Sequence, residues 1–242
     1  GEERHPVTAA DCAFFLTAEN GLPVQDEKGS FVLDEQAVTA YVQSLAEEYD
    51  GYGRTRQFHS TRGDVITIDG GTYGSKMDRK KETAYLLEHL LDPGVHTGTP
   101  QSHIPSYERE AFCYGKNDIG DTYIEVDMTE QKMYYYEKGV LKLETEIVTG
   151  NMRRRMGTPE GVNFVYNKQK NRVLRGPGYA SPVKFWMPVK GGIGIHDAGW
   201  RKEFGGDIYQ TAGSHGCINT PKDKMEELFD CVQIGTPVVM FY

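Results

Sequence analysis

Between Val38 and Tyr49 apolar side chains return every three or four positions (Val38, Tyr41, Val42, Leu45, Tyr49), the period of a helix with one buried face. Asp34 stands where such a helix needs its N-cap, so the pattern predicts a helix over 34–50. Val65-Ile66-Thr67-Ile68 predicts a short strand, Gly70-Gly71-Thr72-Tyr73-Gly74 a turn, and the run after Asp78 a second helix reaching about Leu91. Over 92–118 the pattern lapses. Pro93, Gly94, Gly98, Pro100 and Pro105 stand among few periodic apolar positions, as in a linker. Further on the period shortens to two. Leu141, Leu143, Thr145 and Ile147 alternate with Lys142, Glu144 and Glu146 behind a hairpin turn at Glu137-Lys138-Gly139. A last helical stripe, Met225, Leu228, Phe229 and Val232, is introduced by Thr220 as cap and Pro221 as first residue, and Gly235 ends it. Val238 to Tyr242 is the length of a strand. The expected fold class is α+β: a small α+β domain over 1–95, a linker over 96–118, and a mainly β domain over 119–242 whose closed or sandwiched sheet carries one late helix. Residues 1–29 carry no pattern that places them.

Composition narrows the function. The 242 residues suffice for one large or two modest domains, and 38% hydrophobic with 11% aromatic residues suits a globular chain. A formal charge of −8 argues against nucleic acid as a partner. No apolar run approaches the about 20 residues of a membrane-spanning helix. The chain opens Gly-Glu-Glu without Met, which reads as a cut fragment that has lost a signal or anchor helix. Of the four cysteines, Cys12, Cys113, Cys217 and Cys231, the last is expected to pack within the final helix, and no spacing suggests a disulfide framework. His96 and His103 lie in the linker without clustered ligands, so neither a metal nor another cofactor is expected.

The candidate chemistry lies in one glycine-rich neighbourhood. His196 is followed, after seventeen intervening residues, by Ser214-His215-Gly216-Cys217. A free thiol is mostly protonated at pH 7, with a pKa of about 8.5. An imidazole that takes its proton leaves a thiolate able to attack an acyl carbon. Gly213 and Gly216 let the backbone turn tightly, so that amides near Cys217 can receive the oxyanion. A lone cysteine is more often an inert core residue and a lone histidine a structural one; here the spacing and flanks are what change the odds.

Ile195-His196-Asp197-Ala198 followed by Ser214-His215-Gly216-Cys217-Ile218-Asn219 resembles the signature of the L,D-transpeptidases, the YkuD-like domains that cross-link bacterial peptidoglycan. Thr122 to Asp127, Thr149-Gly150-Asn151 and Gly157-Thr158-Pro159-Glu160-Gly161 extend the resemblance over roughly 120–242. Arg56-Gln57-Phe58 and the stretches from Gly63 to Ile68 and Gly70 to Gly74 resemble the peptidoglycan-binding domain that precedes it in Gram-positive members, a module that binds wall or serves as a spacer. The resemblance implies a β-sandwich with a helix after the catalytic cysteine and a lid over the site. It implies Cys217 as nucleophile, His196 as general base and His215 in support. It assigns the Asp197 carbonyl to orienting the His196 ring, Ser214 and Asn219 to shaping the pocket, and the backbone N–H groups of His215, Gly216 and Cys217 to the oxyanion. Residues 167–187 match the lid, with Tyr179, Trp186 and Met187 as pocket candidates or as packing within the flap, and with Arg201 beside the histidine. The basic residues Lys168, Lys170, Arg172, Arg175 and Lys184 in this stretch form either a cationic rim for carboxylates or a solvated loop.

The implied reaction transfers a donor tetrapeptide stem, with loss of its terminal D-Ala, to an amine of a second stem in a 3→3 type cross-link. The implied partners are peptidoglycan stem peptides, and carbapenem β-lactams as inhibitors. The implied location is extracytoplasmic and wall-associated, by secretion or an N-terminal anchor. Three alternatives stay open: a carboxypeptidase in which water accepts the acyl group, a non-catalytic wall-binding module, and a zinc site made by His196, His215 and Cys217.

Overall fold

The computed structural model describes residues 13–91, 103–176 and 178–242. Cys12, His96, Pro177 and most of the prolines and glycines assigned to the linker lie outside them. In chain order the elements are β1 (Ala18–Glu19), β2 (Leu22–Pro23), α1 (Glu35–Tyr49), β3 (Arg56–His59), β4 (Val65–Ile68), β5 (Lys76–Met77), α2 (Arg79–His89), β6 (Tyr107–Arg109), β7 (Tyr123–Asp127), β8 (Lys132–Glu137) and β9 (Val140–Glu146). They continue with β10 (Gly161–Phe164), β11 (Gln169–Gly176), β12 (Tyr179–Lys190), β13 (Ile193–Asp197), α3 (Ile208–Ala212), β14 (Ile218–Thr220), α4 (Lys222–Cys231) and β15 (Pro237–Phe241). Among the described residues no helix is long and apolar enough to cross a membrane.

The chain divides into two compact units. The first takes the residues up to Gly51 together with 74–110 and 114–116. In it Asp34 caps α1 by accepting from the N–H groups of Gln36 and Ala37, and α1 buries Val38, Val42 and Ala46 as its period requires. Asp78 caps α2 through the Lys81 N–H. Part of the stretch expected as linker is structured: β6 pairs antiparallel with β5.

The second unit comprises 52–73, 111–113 and 117–242. Its five-stranded sheet runs in the order β10-β15-β7-β8-β9 and its four-stranded sheet in the order β11-β12-β13-β14. Ile124, Val126, Met133 and Leu143 of the first sheet share one apolar cluster with Phe185, Met187, Ile195 and Ile218 of the second and with Met225, Leu228 and Phe229 of α4. The domain is therefore a sandwich closed by its late helix. The β8–β9 turn falls on Lys138 (φ 51°) and Gly139 (φ 76°), both in the left-handed region a two-residue hairpin demands.

Alternation along β15 sends Val238 and Met240 into that core and Val239 and Phe241 to the other face of the sheet. There the β3–β4 hairpin covers them with Phe58 and Ile68. The hairpin is also tied by polar contacts. Glu125, fully buried, accepts from the Thr61 N–H (2.8 Å) and hydroxyl (2.6 Å), and Arg56 makes a bidentate pair with Asp118 (2.8 and 2.5 Å). A hairpin that precedes α2 in sequence thus belongs to the β unit by packing.

Two local expectations are corrected. Thr220 is the last residue of β14 rather than a helix cap; Pro221 occupies the cap position and α4 begins at Lys222. Cys231 is exposed, because the buried stripe of α4 runs through Met225, Leu228, Phe229 and Val232 and position 231 falls beside it.

Candidate active site

Strand register assembles the site. β12 pairs antiparallel with β13, and β13 parallel with β14, so that Trp186, His196 and Asn219 stand in one row across the sheet. The neighbouring row, Met187, Ile195 and Ile218, points the opposite way into the core. Cys217 immediately precedes β14, two positions before Asn219, and therefore shares the face of His196. A cavity of about 830 Å³ opens on that face, lined among others by Cys217, His196, His215, Ser214, Asn219 and Arg201. Tyr179 and Trp186 line it too. Met187 does not: its side chain is fully buried in the core, because successive strand residues face opposite sides.

His196 is almost completely buried. Its Nδ1 donates to the Asp197 carbonyl at 2.9 Å, which leaves the Nε2 lone pair free to accept. Nε2 faces the Asn219 amide. Oriented to satisfy its neighbours, that amide donates from its nitrogen to Nε2 (3.2 Å) and accepts from Arg201 Nε (2.7 Å) and Nη2 (3.2 Å) at its oxygen. The Asp197 side chain takes no part in this; it accepts from the Phe185 N–H (2.7 Å) and pins β12 to β13. Trp186 and Trp200 wall the imidazole at centroid distances of 5.9 and 5.8 Å.

The thiol of Cys217 donates to the Gly192 carbonyl at 3.8 Å, and the Gly194 N–H turns toward the same sulfur. No hydrogen bond joins this sulfur to His196 or His215 among the described residues. The Gly191-Gly192-Ile193-Gly194 turn was not singled out in the sequence, although three glycines just before a candidate base are a visible signal of close backbone approach. Gly194 has a reason to be glycine: a Cβ there would stand 2.5 Å from the Met187 carbonyl oxygen and 2.7 Å from the Trp186 ring. Tyr166 holds the turn by donating its hydroxyl proton to the Gly191 carbonyl.

Ser214 folds the cysteine loop. Its hydroxyl donates to the Cys217 carbonyl (2.5 Å) and accepts from the Gly216 N–H (3.0 Å). The Gly216 N–H, expected to face an oxyanion, is therefore already satisfied within the loop. Thr158, unassigned from the sequence, donates to the Gly216 carbonyl (2.8 Å) and accepts from the Gly150 N–H (2.9 Å). Gly216 sits at φ 111°, a conformation that L side chains rarely adopt. His215 is exposed, and its ring stacks on Tyr179 at 4.6 Å, which joins this loop to the start of β12. Among the described residues no three His, Cys, Asp or Glu side chains gather as a metal would need.

Burial raises the Cys217 thiol above the ordinary range, partly offset by the Gly194 N–H. Burial also lowers His196 below its ordinary value, opposed by the Asp197 carbonyl bond and carboxylate and aided a little by the nearby Arg201 charge. Both shifts favour the uncharged forms, thiol and imidazole, over a thiolate–imidazolium ion pair. The sign of the pH response follows. A base whose pKa is lowered stays unprotonated to more acidic pH, so the acid limb of acylation is expected below the usual histidine midpoint. Alkylation of Cys217 by iodoacetamide is expected to rise only above the usual thiol midpoint; a plateau of fast alkylation at pH 5–6 would show a resting ion pair instead.

A buried imidazole held in one tautomer on the same sheet face as a cavity-lining cysteine is an arrangement suited to cysteine acyl transfer. The comparisons agree. Residues 121–240 match the YkuD L,D-transpeptidase catalytic domain, and residues 18–94 match a peptidoglycan binding domain. The crystal structure of the Enterococcus faecium L,D-transpeptidase C442S mutant is 37% identical, with a TM-score of 0.81, over 97% of this chain and 90% of that one. The Ldtfm–avibactam carbamoyl enzyme is 37% identical, with the same TM-score of 0.81, over 98% of this chain and 88% of that one. No curated protein matches the chain. The chain belongs to the L,D-transpeptidase family and is an enzyme of that class.

Proposed function

We propose that the chain forms 3→3 type peptidoglycan cross-links through a thioester on Cys217. The single observation that carries this reading is the register row that sets His196 on the face of Cys217, with its Nδ1 proton committed to the Asp197 carbonyl and its Nε2 left as an acceptor facing the Asn219 amide. On binding of a tetrapeptide stem, Nε2 exchanges its Asn219 partner for the thiol proton. The sulfur attacks the carbonyl before the terminal D-Ala, the carbon–nitrogen bond breaks, and the proton held on Nε2 passes to the departing amine. A stem amine then attacks the thioester and gives its proton to His196, and the sulfur leaves and is reprotonated. The oxyanion falls to the amides of His215 and Cys217, the expected donors that Ser214 does not engage. His215, exposed and stacked on Tyr179, supports the loop and is not the base.

The β11–β12 hairpin, whose arms line the cavity, serves as the lid that excludes water during transfer. Carbapenems, with a strained carbonyl, acylate the same sulfur; that a relative is solved as an avibactam carbamoyl enzyme supports covalent capture of a strained carbonyl at such a site. The first unit holds the enzyme at the wall outside the cytoplasm. The test is product analysis with a synthetic tetrapeptide, with and without an acceptor amine. D-Ala release with a cross-linked product only when acceptor is present is the expected result. Free tripeptide alone, acceptor or not, would make the chain a carboxypeptidase.

A further inference from the structure

The cavity around Cys217 has a charge its chain does not share. Acidic residues outnumber basic ones 35 to 27 overall, yet among the described residues no Asp or Glu lines the cavity, while Arg172, Arg175 and Arg201 do. Arg201 is committed within the protein: its guanidinium donates to the Ala212 carbonyl (2.9 Å) and to the Asn219 amide oxygen. Arg172 and Arg175 lie on β11, the outer arm of the hairpin. Both are exposed, and neither has a carboxylate within ion-pair distance among the described residues.

The three lysines of the same stretch behave differently. Lys168 donates to the Val232 carbonyl (2.6 Å) and lies over the Phe229 ring. Lys170 reaches Asp230 (4.0 Å) and lies over Phe185 and Phe229, while Lys184 pairs with Glu226 (3.0 Å). All three turn toward α4, away from the cavity. Of five cations in one basic stretch, the fold spends three on its own helix and leaves two arginines lining the site.

We infer that Arg172 and Arg175 are specificity-determining residues that recognise a carboxylate of the donor, so that the substrate class is a stem peptide in which that one group is free rather than amidated. The inference rests on the peptidoglycan reading above. Guanidinium suits the role, because its planar fork matches a carboxylate with two parallel hydrogen bonds, and a cleft of one sign also concentrates the oppositely charged ligand. The carboxylate has two sources, the terminal group that leaves with the D-residue and a side carboxylate retained in the acyl-enzyme.

The test uses the full chain and three synthetic tetrapeptides: fully free, side carboxylate amidated, and terminus amidated. For the fully free stem, Arg172→Gln/Arg175→Gln is expected to raise KM about tenfold or more, with kcat within about twofold. The stem in which amidation abolishes this difference identifies the carboxylate bound. Lys170→Gln/Lys184→Gln removes the same charge from the helix-facing side and is expected to leave KM unchanged. Titration calorimetry of the free stem against Cys217→Ala, with and without the two arginine substitutions, reads the same recognition without turnover. Equal KM changes for all three stems, an equal effect of the lysine pair, or arginine-independent binding each overturns the inference. Arginine-dependent binding in a chain that releases no D-residue would instead overturn the proposed reaction and leave the recognition standing.

Discussion

Cys217→Ala is expected to leave a folded chain that takes up no acyl group. Incubated with a carbapenem or avibactam and weighed intact, the parent gains the mass of one inhibitor and the variant gains none. D-Ala release from a tetrapeptide falls by at least about 10³-fold, because a covalent mechanism without its nucleophile retains only what binding and oxyanion donors supply. The substitution removes one sulfur from a partly open cavity wall, and the loop around it is held by Ser214 and Thr158 rather than by the thiol, so the unfolding midpoint should hold. An adduct on the alanine variant would place the nucleophile elsewhere, with Cys113 and Cys231 the other free thiols among the described residues.

His196→Gln is expected to slow acylation by about 10²–10⁴-fold, the usual worth of a positioned general base. The loss should be largest near neutral pH. Burial keeps Cys217 protonated there, and without the imidazole nothing beside it removes the proton. The residual rate should therefore climb with pH as thiolate forms unaided, whereas the parent reaches its full rate at lower pH. Glutamine keeps a polar group beside Asn219 and the Asp197 carbonyl, so the sheet row need not rearrange. A variant within about threefold of the parent at pH 7 would remove His196 from the proton path and make exposed His215 the residue to test next.

Much of the fold was legible because local rules were sufficient. Asp34 and Asp78 cap helices where their sequences put them, and Lys138-Gly139 turns a hairpin, since capping and left-handed turns depend on a few adjacent residues. Met187 was a misreading that period two could have prevented. Trp186 and Met187 are neighbours in one strand, so a pocket that takes the first gives the second to the core. β14 had no such signal. Three residues between a glycine loop and a proline make no strand by propensity; they become one because β13 offers a parallel edge and Asn219 exchanges backbone bonds with Val148 on its other side. The placement of the β3–β4 hairpin was equally hidden, since its partners Glu125, Asp118 and Phe241 lie far along the chain.

The amino-acid sequence by itself determined which reactive groups the chain carries and the family it resembles, because a histidine and a Ser-His-Gly-Cys run are covalent facts that survive any folding. It also determined the alternation that divides each strand into a wet and a dry side. Only the tertiary structure decided where the two imidazoles stand and how deeply each is buried. Pairing β13 with β14 sets a buried His196 on the sulfur's face while His215 stays exposed at the cavity's edge, and burial disfavours charge on both His196 and Cys217. Only it sorted the hairpin's cations, since which of five basic side chains meets a helix and which meets the cavity depends on strands and a helix that contribute nothing to one another until they pack.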